Sequence, residues 1–139
     1  MILAAIALVA TGQPFACVVV NVHDGDTMRC ADGIRIRLQG IDANELDGTC
    51  HHECASRTAE QARRHLEEVA LGRLASCTPT GTSYRRITAW CAVKPINGRP
   101  VDLSCEQVAA GIAVIWRKFD PRHHLDRCRP GLPPLVVTP

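Results

Sequence analysis

Acidic and arginine side chains lie close together in one stretch of the sequence, IRIRLQGIDANE at residues 34–45. Its first half alternates arginine with aliphatic residues, which predicts a strand with one polar face. Arg37 lies on that face, and Asp42 and Glu45 follow where the strand ends. A third acid, Asp26, comes directly after a DG turn in the preceding segment. Because a hard cation such as calcium prefers oxygen ligands, the acids are candidate metal ligands.

Carboxylates on neighbouring strands cannot all stay charged without compensation. Two like charges about 4 Å apart repel by about 4 kcal/mol at an effective dielectric of about 20. The acids must therefore separate, retain a proton or share a cation, and alone they would be ordinary solvated turn residues. Two arginines argue otherwise, because Arg37 precedes Asp42 on one predicted face and Arg86 begins a later strand. A cation with two guanidinium groups can neutralise the charge that develops on a phosphorus centre, and a nearby carboxylate can deprotonate the attacking water.

Mainly strands must position these residues. Residues 17–22 are β-branched and apolar, which predicts a first strand. DG turns at 24–25 and 32–33 join it to two further strands, the last of them the alternating run at 34–38. Gly40 then interrupts the alternation, as a bulge or bend would. The first part of the chain is therefore predicted to be a three-stranded meander.

A helix and further strands follow the meander. Apolar residues recur at three- and four-residue steps from Cys54 to Leu71, which predicts an amphipathic helix. Two strands at 73–79 and 85–93 flank a TGTSY loop, and Ser104 is positioned to cap a second, shorter helix. Five strands with a helix between the third and the fourth predict an α+β, mainly β chain. The predicted fold is the OB-fold, a five-stranded Greek-key barrel, with two or more helices.

Length, composition and charge limit the class of protein. The 139 residues are enough for one domain, and a formal net charge of +2 does not by itself indicate nucleic-acid binding. Residues 2–10 form an uncharged apolar run that is too short to span a bilayer but suits a signal peptide, with a buried first strand as the alternative. We expect a signal segment at 1–16, one domain at 17–119 and an extended, Pro-rich tail at 120–139.

Eight cysteines in so short a chain indicate a disulfide framework and an oxidising compartment. We therefore expect a secreted or periplasmic protein with no stable membrane association beyond its export signal. The sequence does not determine the pairing, although Cys128 is positioned to pin the tail. Three pairings suit the predicted strands and loops: Cys17 with Cys30, Cys77 with Cys91, and Cys50 with Cys54.

Four motifs occur in an order and spacing that match one known family. They are DGDT at 24–27, IRLQGIDANE at 36–45, YRR at 84–86 and VDLSCEQVAAGIAVIW at 101–116. Together they resemble the thermonuclease family, the staphylococcal-nuclease-like domains, over residues 18–116. The resemblance implies an OB-fold enzyme that uses calcium to hydrolyse DNA and RNA and leaves 3′-phosphate products. DNA and RNA are then the expected partners, and we expect a monomer.

The resemblance also implies the composition of a metal site. The ligands would be the carboxylates of Asp26 and Asp42 and the carbonyl oxygen of Ala43. Asp24 and Thr27 would support them from beside the metal.

Catalytic roles are implied for three further positions. Arg37 would hold the scissile phosphate, and Glu45 would activate the attacking water. Arg86 would stabilise the transition state or the leaving oxygen. Tyr84 falls where the family has a tyrosine near the nucleotide phosphate, so it is a candidate for substrate binding.

The chain departs from the family's pattern at several positions. Asn44 stands where the family often has proline, and Ser83 where some members have lysine. Arg85 replaces a glycine often seen before the catalytic arginine, and Arg117 falls near a base-stacking tyrosine of the best-known member. Aromatic residues make up only 4% of the chain, which leaves little stacking surface for single strands. We therefore expect weaker substrate binding than is typical, with every chemical role still occupied.

Other functions are compatible with the sequence. The CHHEC run at 50–54 offers zinc ligands, but its spacing is not that of a paired zinc motif, and an exported chain would oxidise the thiols. The main alternative is a non-catalytic OB-fold module that binds nucleic acid. Such degenerate family members lose the acids and arginines that this chain keeps. A barrel that binds oligosaccharide or protein is the third alternative.

Overall fold

A closed five-stranded β-barrel forms the centre of the molecule. A computed structural model describes residues 11–55, 57–94 and 98–128. The elements, in chain order, are β1 (Phe15–Asp24), β2 (Thr27–Cys30), β3 (Arg35–Leu38), β4 (Ile41–Ala43), α1 (Ala59–Ala70), β5 (Leu74–Ser83), β6 (Arg86–Val93), β7 (Val101–Asp102), α2 (Leu103–Ala109) and β8 (Ala113–Ile115), followed by 3-10 turns at Arg117–Phe119 and Asp126–Cys128.

The order of the strands is that of an OB-fold. Neighbouring strands pair in the order β3-β2-β1-β5-β6, and a parallel pairing of β3 with β6 closes the barrel. Helix α1 connects the meander to the β5–β6 hairpin, while the short strands β4 and β8 pair with each other in a separate sheet. The prediction of an α+β, mainly β OB-fold with two helices is confirmed.

Alternation of side chains along the strands separates the core from the polar face. In β3, Ile36 and Leu38 are buried inside the barrel, whereas Arg35 and Arg37 lie on its outer face. Strand β6 alternates in the same way along its whole length. A slip of one residue in β3 would bury both arginines, so burial of the aliphatic residues determines where the arginines point.

Helix α1 begins later than the apolar period predicts. The prediction started the helix at Cys54, but its first residue is Ala59. Thr58 and Gln61 form a capping box, in which each side chain accepts a hydrogen bond from the backbone N–H of the other. A disulfide between Cys50 and Cys54 holds the preceding residues in a loop instead.

The β5–β6 hairpin has a tighter turn than predicted. In place of a TGTSY loop, β5 continues through Ser83, and only Tyr84 and Arg85 lie between the strands. Both turn residues have positive φ angles, 51° and 62°, as in a two-residue type I′ turn. This conformation is strained for residues other than glycine, asparagine and aspartate. A glycine at position 85 would adopt this conformation without strain, and Arg85 occupies the position at an energetic cost.

Helix α2 is present, but its predicted cap is wrong. The capping residue is Asp102, whose carboxylate accepts a hydrogen bond from the N–H of Cys105 at 2.9 Å. Ser104 is fully buried inside the first turn, and its hydroxyl donates to the carbonyl of Gln39. Ser104 thus ties α2 to the end of β3.

Four disulfides cross-link the described chain. The three predicted pairs are confirmed, and a fourth joins the last 3-10 turn to α2: Cys17–Cys30, Cys50–Cys54, Cys77–Cys91 and Cys105–Cys128. Such a framework points to an oxidising compartment outside the cytosol. Within the described residues, no helix has both the length and the apolar character needed to cross a bilayer.

The chain after β8 folds back onto the barrel. The sequence predicts an extended tail from residue 120 onward, and for the described part of that tail the prediction is wrong. Leu125 and Cys128 are fully buried, and the carboxylate of Asp120 accepts hydrogen bonds from the N–H groups of His124 and Leu125. The predicted pinning by Cys128 is confirmed. Residues 1–10 of the predicted signal segment and 129–139 of the predicted tail lie outside the described residues.

Candidate metal and phosphate site

Three carboxylates converge beside the barrel. Asp26 follows the turn between β1 and β2, Asp42 lies in the middle of β4, and Glu45 comes shortly after that strand. One carboxylate oxygen of each lies within 4.8 Å of the other two. The three predicted acids therefore form a cluster in space, although they come from separate segments.

Asp26 is almost fully buried, at 1% exposure, and two donors hold its carboxylate. The N–H of Ala43 donates to Oδ2 at 2.9 Å, and the hydroxyl of Thr27 donates to Oδ1 at 3.1 Å. Burial raises the pKa of Asp26 to about 6; the guanidinium of Arg37 opposes this rise, and the carboxylate of Asp24 adds to it. A cation next to Asp26 would favour the ionised form.

The carboxylate of Asp42 is fully buried, and one of its oxygens lacks a hydrogen bond. Oδ2 accepts a bond of 2.7 Å from the N–H of His52. No described residue donates a hydrogen bond to Oδ1, and Nη2 of Arg37 lies 3.7 Å away from it. A buried charged oxygen without a donor is unfavourable. With oxygens of Asp26 and Glu45 nearby, the residues fit a hard divalent cation, and they do not by themselves select calcium.

The guanidinium of Arg37 lies against these acids in a fixed orientation. Its Nη1 donates to the carbonyls of Leu38 and Ile41 at 3.1 and 3.0 Å, and its Nη2 lies 3.3 Å from Oδ2 of Asp26. The side chain is 11% exposed. Arg37 is therefore held by backbone carbonyls on one side and by carboxylates on the other.

Arg86 approaches the same site from the start of β6. Its Nε donates to the carbonyl of Ser83, and its Nη1 lies 3.4 Å from the hydroxyl of Thr27, which itself donates to Asp26. The ring of Tyr84 lies beside the guanidinium, with its centroid 5.8 Å from the guanidinium carbon, and Tyr84 is 88% exposed. Thr27 thus connects the arginine to the acidic cluster, and Tyr84 stands at the outer rim.

Close packing determines the position of the turn that presents Asp26. A Cβ atom on Gly25 would lie 2.5 Å from the Cβ of Ala62 in α1 and 2.7 Å from that of Ala43, so only glycine fits. The buried side chain of Gln107, from α2, donates to the carbonyls of Gly25 at 2.7 Å and Ala62 at 3.2 Å. Both helices therefore help to hold the turn in place.

The loop closed by the Cys50–Cys54 disulfide borders the cluster. The Nε2 atom of His51 lies 2.9 Å from Oε1 of Glu45, and the backbone N–H of the next residue reaches Asp42. The sequence offered this run as a disulfide clip or as a zinc candidate, and the disulfide that forms removes the thiolates that zinc binding would need. Nothing in the local sequence indicated the contact with Glu45, because the contact depends on how the loop closes.

Asn44 attaches the far end of the same loop. Its side-chain amide donates to the carbonyls of Ala55 and Arg57 and accepts a hydrogen bond of 2.8 Å from the N–H of Ala55. Asn44 stands where the thermonuclease family often has proline, a residue that restricts the backbone. These three hydrogen bonds provide rigidity by another route.

A cleft of about 500 Å³ adjoins the cluster through Arg37 and His51, which contact its acids and line the cleft. Polar and charged residues of the cleft include Arg37, His51, Thr80, Tyr84 and Arg86. Both predicted arginines therefore face one space, together with the histidine that contacts Glu45.

The cleft also has aromatic residues in its lining, which the sequence did not indicate. Trp116 and Phe119 line it and meet edge to face, with ring centroids 4.8 Å apart. The ring of His52 stacks on Trp116 at 5.2 Å and almost parallel to it. The site therefore has more flat apolar surface than the low aromatic content led us to expect.

The predicted supporting positions also lie at the cluster. Asp24 accepts the N–H of Asp26 through Oδ1 at 3.1 Å, and Thr27 donates to the same residue. Ala43 contributes its N–H to Asp26, while the proposed role of its carbonyl stays a prediction. The residues predicted from the sequence thus occupy one region, and the chemical roles assigned to them stay predictions.

Two comparisons with known proteins were informative about relatives of this chain. A scan against protein-family models finds none that matches it, and a search of the curated proteins finds no match either. The likeness to the thermonuclease family therefore stays a prediction made from the motifs.

Proposed function

We propose that the protein is an exported, calcium-dependent nuclease that hydrolyses phosphodiester bonds of DNA and RNA and leaves 3′-phosphate products, as the resemblance to thermonucleases implies. The observation that carries the proposal is Oδ1 of Asp42, buried without a donor among the described residues and next to two other carboxylates. A cluster that served folding alone would satisfy this oxygen. A secreted or periplasmic location and a monomeric state are part of the same proposal.

Asp26 and Asp42 would hold the cation, with the carbonyl of Ala43 as a further oxygen ligand. When bound, calcium supplies positive charge next to the phosphate. The two carboxylates must be ionised to act as ligands. The hydrogen bonds from Ala43 and Thr27 to Asp26 favour that ionised form and keep the carboxylate in one orientation.

Arg37 and Arg86 would bind the phosphate from two sides. Backbone carbonyls already orient the guanidinium of Arg37, so little further ordering is needed when substrate binds. Arg86 reaches the cleft from a different strand, and the planar fork of both side chains matches phosphate oxygens. Two positive charges would stabilise the negative charge that builds up on the phosphorus centre.

Glu45 would accept the proton of the attacking water. Its side chain is 25% exposed, unlike the two buried aspartates, and the contact with His51 restricts its direction. The water oxygen forms a bond to phosphorus, the bond from phosphorus to the 5′ oxygen breaks, and that oxygen takes up a proton. The products are a 3′-phosphate and a 5′-hydroxyl end.

A non-catalytic module that binds nucleic acid is the alternative. One observation favours it, namely that Nη2 of Arg37 already lies 3.3 Å from Asp26. In such a module, this ion pair would stabilise the fold, and the arginines would bind phosphate without hydrolysis.

Digestion of single-stranded DNA and of RNA by the purified, oxidised protein tests the proposal. We expect cleavage with calcium, no cleavage with a chelator, recovery when calcium is added back, and 3′-phosphate ends on the products. A Glu45→Gln protein purified in the same way controls for contaminating nucleases. Binding without cleavage would favour the module, and cleavage in chelator would contradict the role of the cation.

A further inference from the structure

A second pair of arginines lies two residues along strands β2 and β3 from the candidate site. We call each set of residues that are opposite one another on neighbouring strands a row. In the antiparallel pairing of β2 with β3, Thr27 is opposite Arg37, and Arg29 is opposite Arg35. Both Arg29 and Arg35 are exposed on the outer face of the barrel. Residues two apart on a strand are separated by about 7 Å, so the two rows are neighbours.

The second row places like charges opposite each other without compensation. Such cross-strand pairs destabilise a sheet. In the described chain, no acidic side chain forms an ion pair with Arg29 or Arg35. The other row differs, because Arg37 faces the acids of the cluster. The unfavourable pairing therefore points to an anionic ligand.

The second row continues into the space next to the candidate site. Asn21 of β1 is opposite Arg29, so three polar side chains form a row across three strands. A cleft of about 500 Å³ contains this row together with Arg86 and Tyr84, which also line the first cleft. A nucleic-acid strand that extends from the candidate site past Arg86 would therefore contact Arg29 and Arg35.

We propose that Arg29 and Arg35 bind backbone phosphates next to the scissile one, and that the nucleic-acid strand to be cut runs over the β1–β3 face. The inference rests on the proposed function, because it takes the scissile phosphate to lie between Arg37 and Arg86. The step of about 7 Å between the rows is similar to the length of one extended nucleotide.

The inference is tested by the binding of a fluorescent single-stranded oligonucleotide, measured by anisotropy. A chelator is present so that no metal-dependent cleavage occurs. The variant is Arg29→Gln/Arg35→Gln, and the control is Lys94→Gln/Arg99→Gln, which removes two exposed charges that do not line either of these clefts. We expect the first variant to bind about tenfold more weakly at low salt. Its salt dependence, the slope of log K against log salt, should fall by about 1.4, or about 0.7 for each phosphate that the protein no longer neutralises. The control should bind like the native protein.

Thermal unfolding separates loss of binding from loss of folding. The Arg29→Gln/Arg35→Gln variant should melt at the native temperature or slightly above it, because the like-charge pair is removed. Equal binding by the native protein and this variant would overturn the inference, as would equal weakening of the control or no binding by the native protein. If the variant alone binds more weakly but the native protein cleaves nothing with calcium, the phosphate contacts of Arg29 and Arg35 hold and the proposed nuclease activity fails.

Discussion

Glu45 differs from the other two acids of the cluster in its surroundings. Asp26 and Asp42 are buried, whereas the side chain of Glu45 is partly exposed and contacts the exposed ring of His51. Buried carboxylates with fixed hydrogen bonds suit metal ligation, and a carboxylate near solvent suits proton transfer. The surroundings therefore support different roles for three residues of similar chemistry.

Replacing Glu45 tests its part in proton transfer. Glu45→Gln should lower the rate of oligonucleotide cleavage by about 10²–10⁴-fold, because the neutral amide cannot accept the proton of the attacking water. Initial rates with calcium give the measurement. Glu68→Gln, on the exposed face of α1, is the matched control and should cleave like the native protein. Equal rates for all three proteins would contradict the assigned role.

Replacing Arg86 tests charge stabilisation on the opposite side of the phosphate. Arg86→Ala should lower the maximal rate by about 10²–10³-fold, because one positive group in the transition state is removed. Arg64→Ala is a suitable control, since among the described residues the ion pair of Arg64 is with Glu60 on the helix surface. A change in KM alone would indicate that Arg86 binds substrate without stabilising the transition state.

The sequence could predict the acids and arginines because each lies in a short motif within a strand or next to one. It could not predict the contact between His51 and Glu45, since the two residues meet only through the closed loop at 50–54. The hydrogen bonds of Asn44 to that loop were likewise hidden, because they join residues more than ten positions apart.

At the level of elements, the loop at 50–54 links a disulfide to the candidate site. Of the four disulfides, only Cys50–Cys54 has an exposed cysteine. The loop presents a backbone N–H to Asp42 and the ring of His51 to Glu45. The sequence predicted this short clip, but not that it would support the site.

Opening this disulfide should affect activity more than stability. For Cys50→Ser/Cys54→Ser, we expect at most about 2 kcal/mol of lost stability, because the closed loop is so short. Cleavage should nevertheless fall at temperatures far below the melting temperature, since the loop no longer positions the two acids. Cys17→Ala/Cys30→Ala is the comparison, which should lose about 3 kcal/mol or more but keep its activity while folded. Activity losses of the same size in both variants would contradict this division.

Other elements show where local patterns are insufficient. Strands β4 and β8 are each three residues long, too short to display a period, and they are defined by their pairing with each other. The turn at Tyr84 and Arg85 has none of the usual turn residues, so a longer loop was predicted. In both cases the tertiary structure decides the local conformation.

At the level of the whole molecule, long-range contacts join the chain after β8 to the barrel. Leu125 packs against Gly40, which has a positive φ of 80°. The packing is close, since a Cβ atom on Gly40 would lie 3.0 Å from a methyl group of Leu125. The Cys105–Cys128 disulfide fastens the same segment to α2. Few apolar residues mark this segment in the sequence, so it was predicted to be an extended tail. Closure of the barrel through β3 and β6 is also long-range, and it followed only from recognition of the fold.

The attachment of this segment should depend on pH through His124. Its Nε2 lies 2.8 Å from the carboxylate of Asp102, which caps α2. This hydrogen bond raises the pKa of His124 above the ordinary value of 6.5, and the charge of Asp120 adds to the rise. The folded protein then binds the proton more tightly than the unfolded chain does. The stabilisation is complete below pH 6.5 and is lost as the pH rises through the higher folded pKa. Melting temperatures of His124→Gln and the native protein should therefore differ most in acid and converge at alkaline pH, whereas His23→Gln, at an exposed position, should follow the native curve. A difference between His124→Gln and the native protein that grows with pH would contradict the assignment, because it would mean that the neutral ring is the form that stabilises the fold.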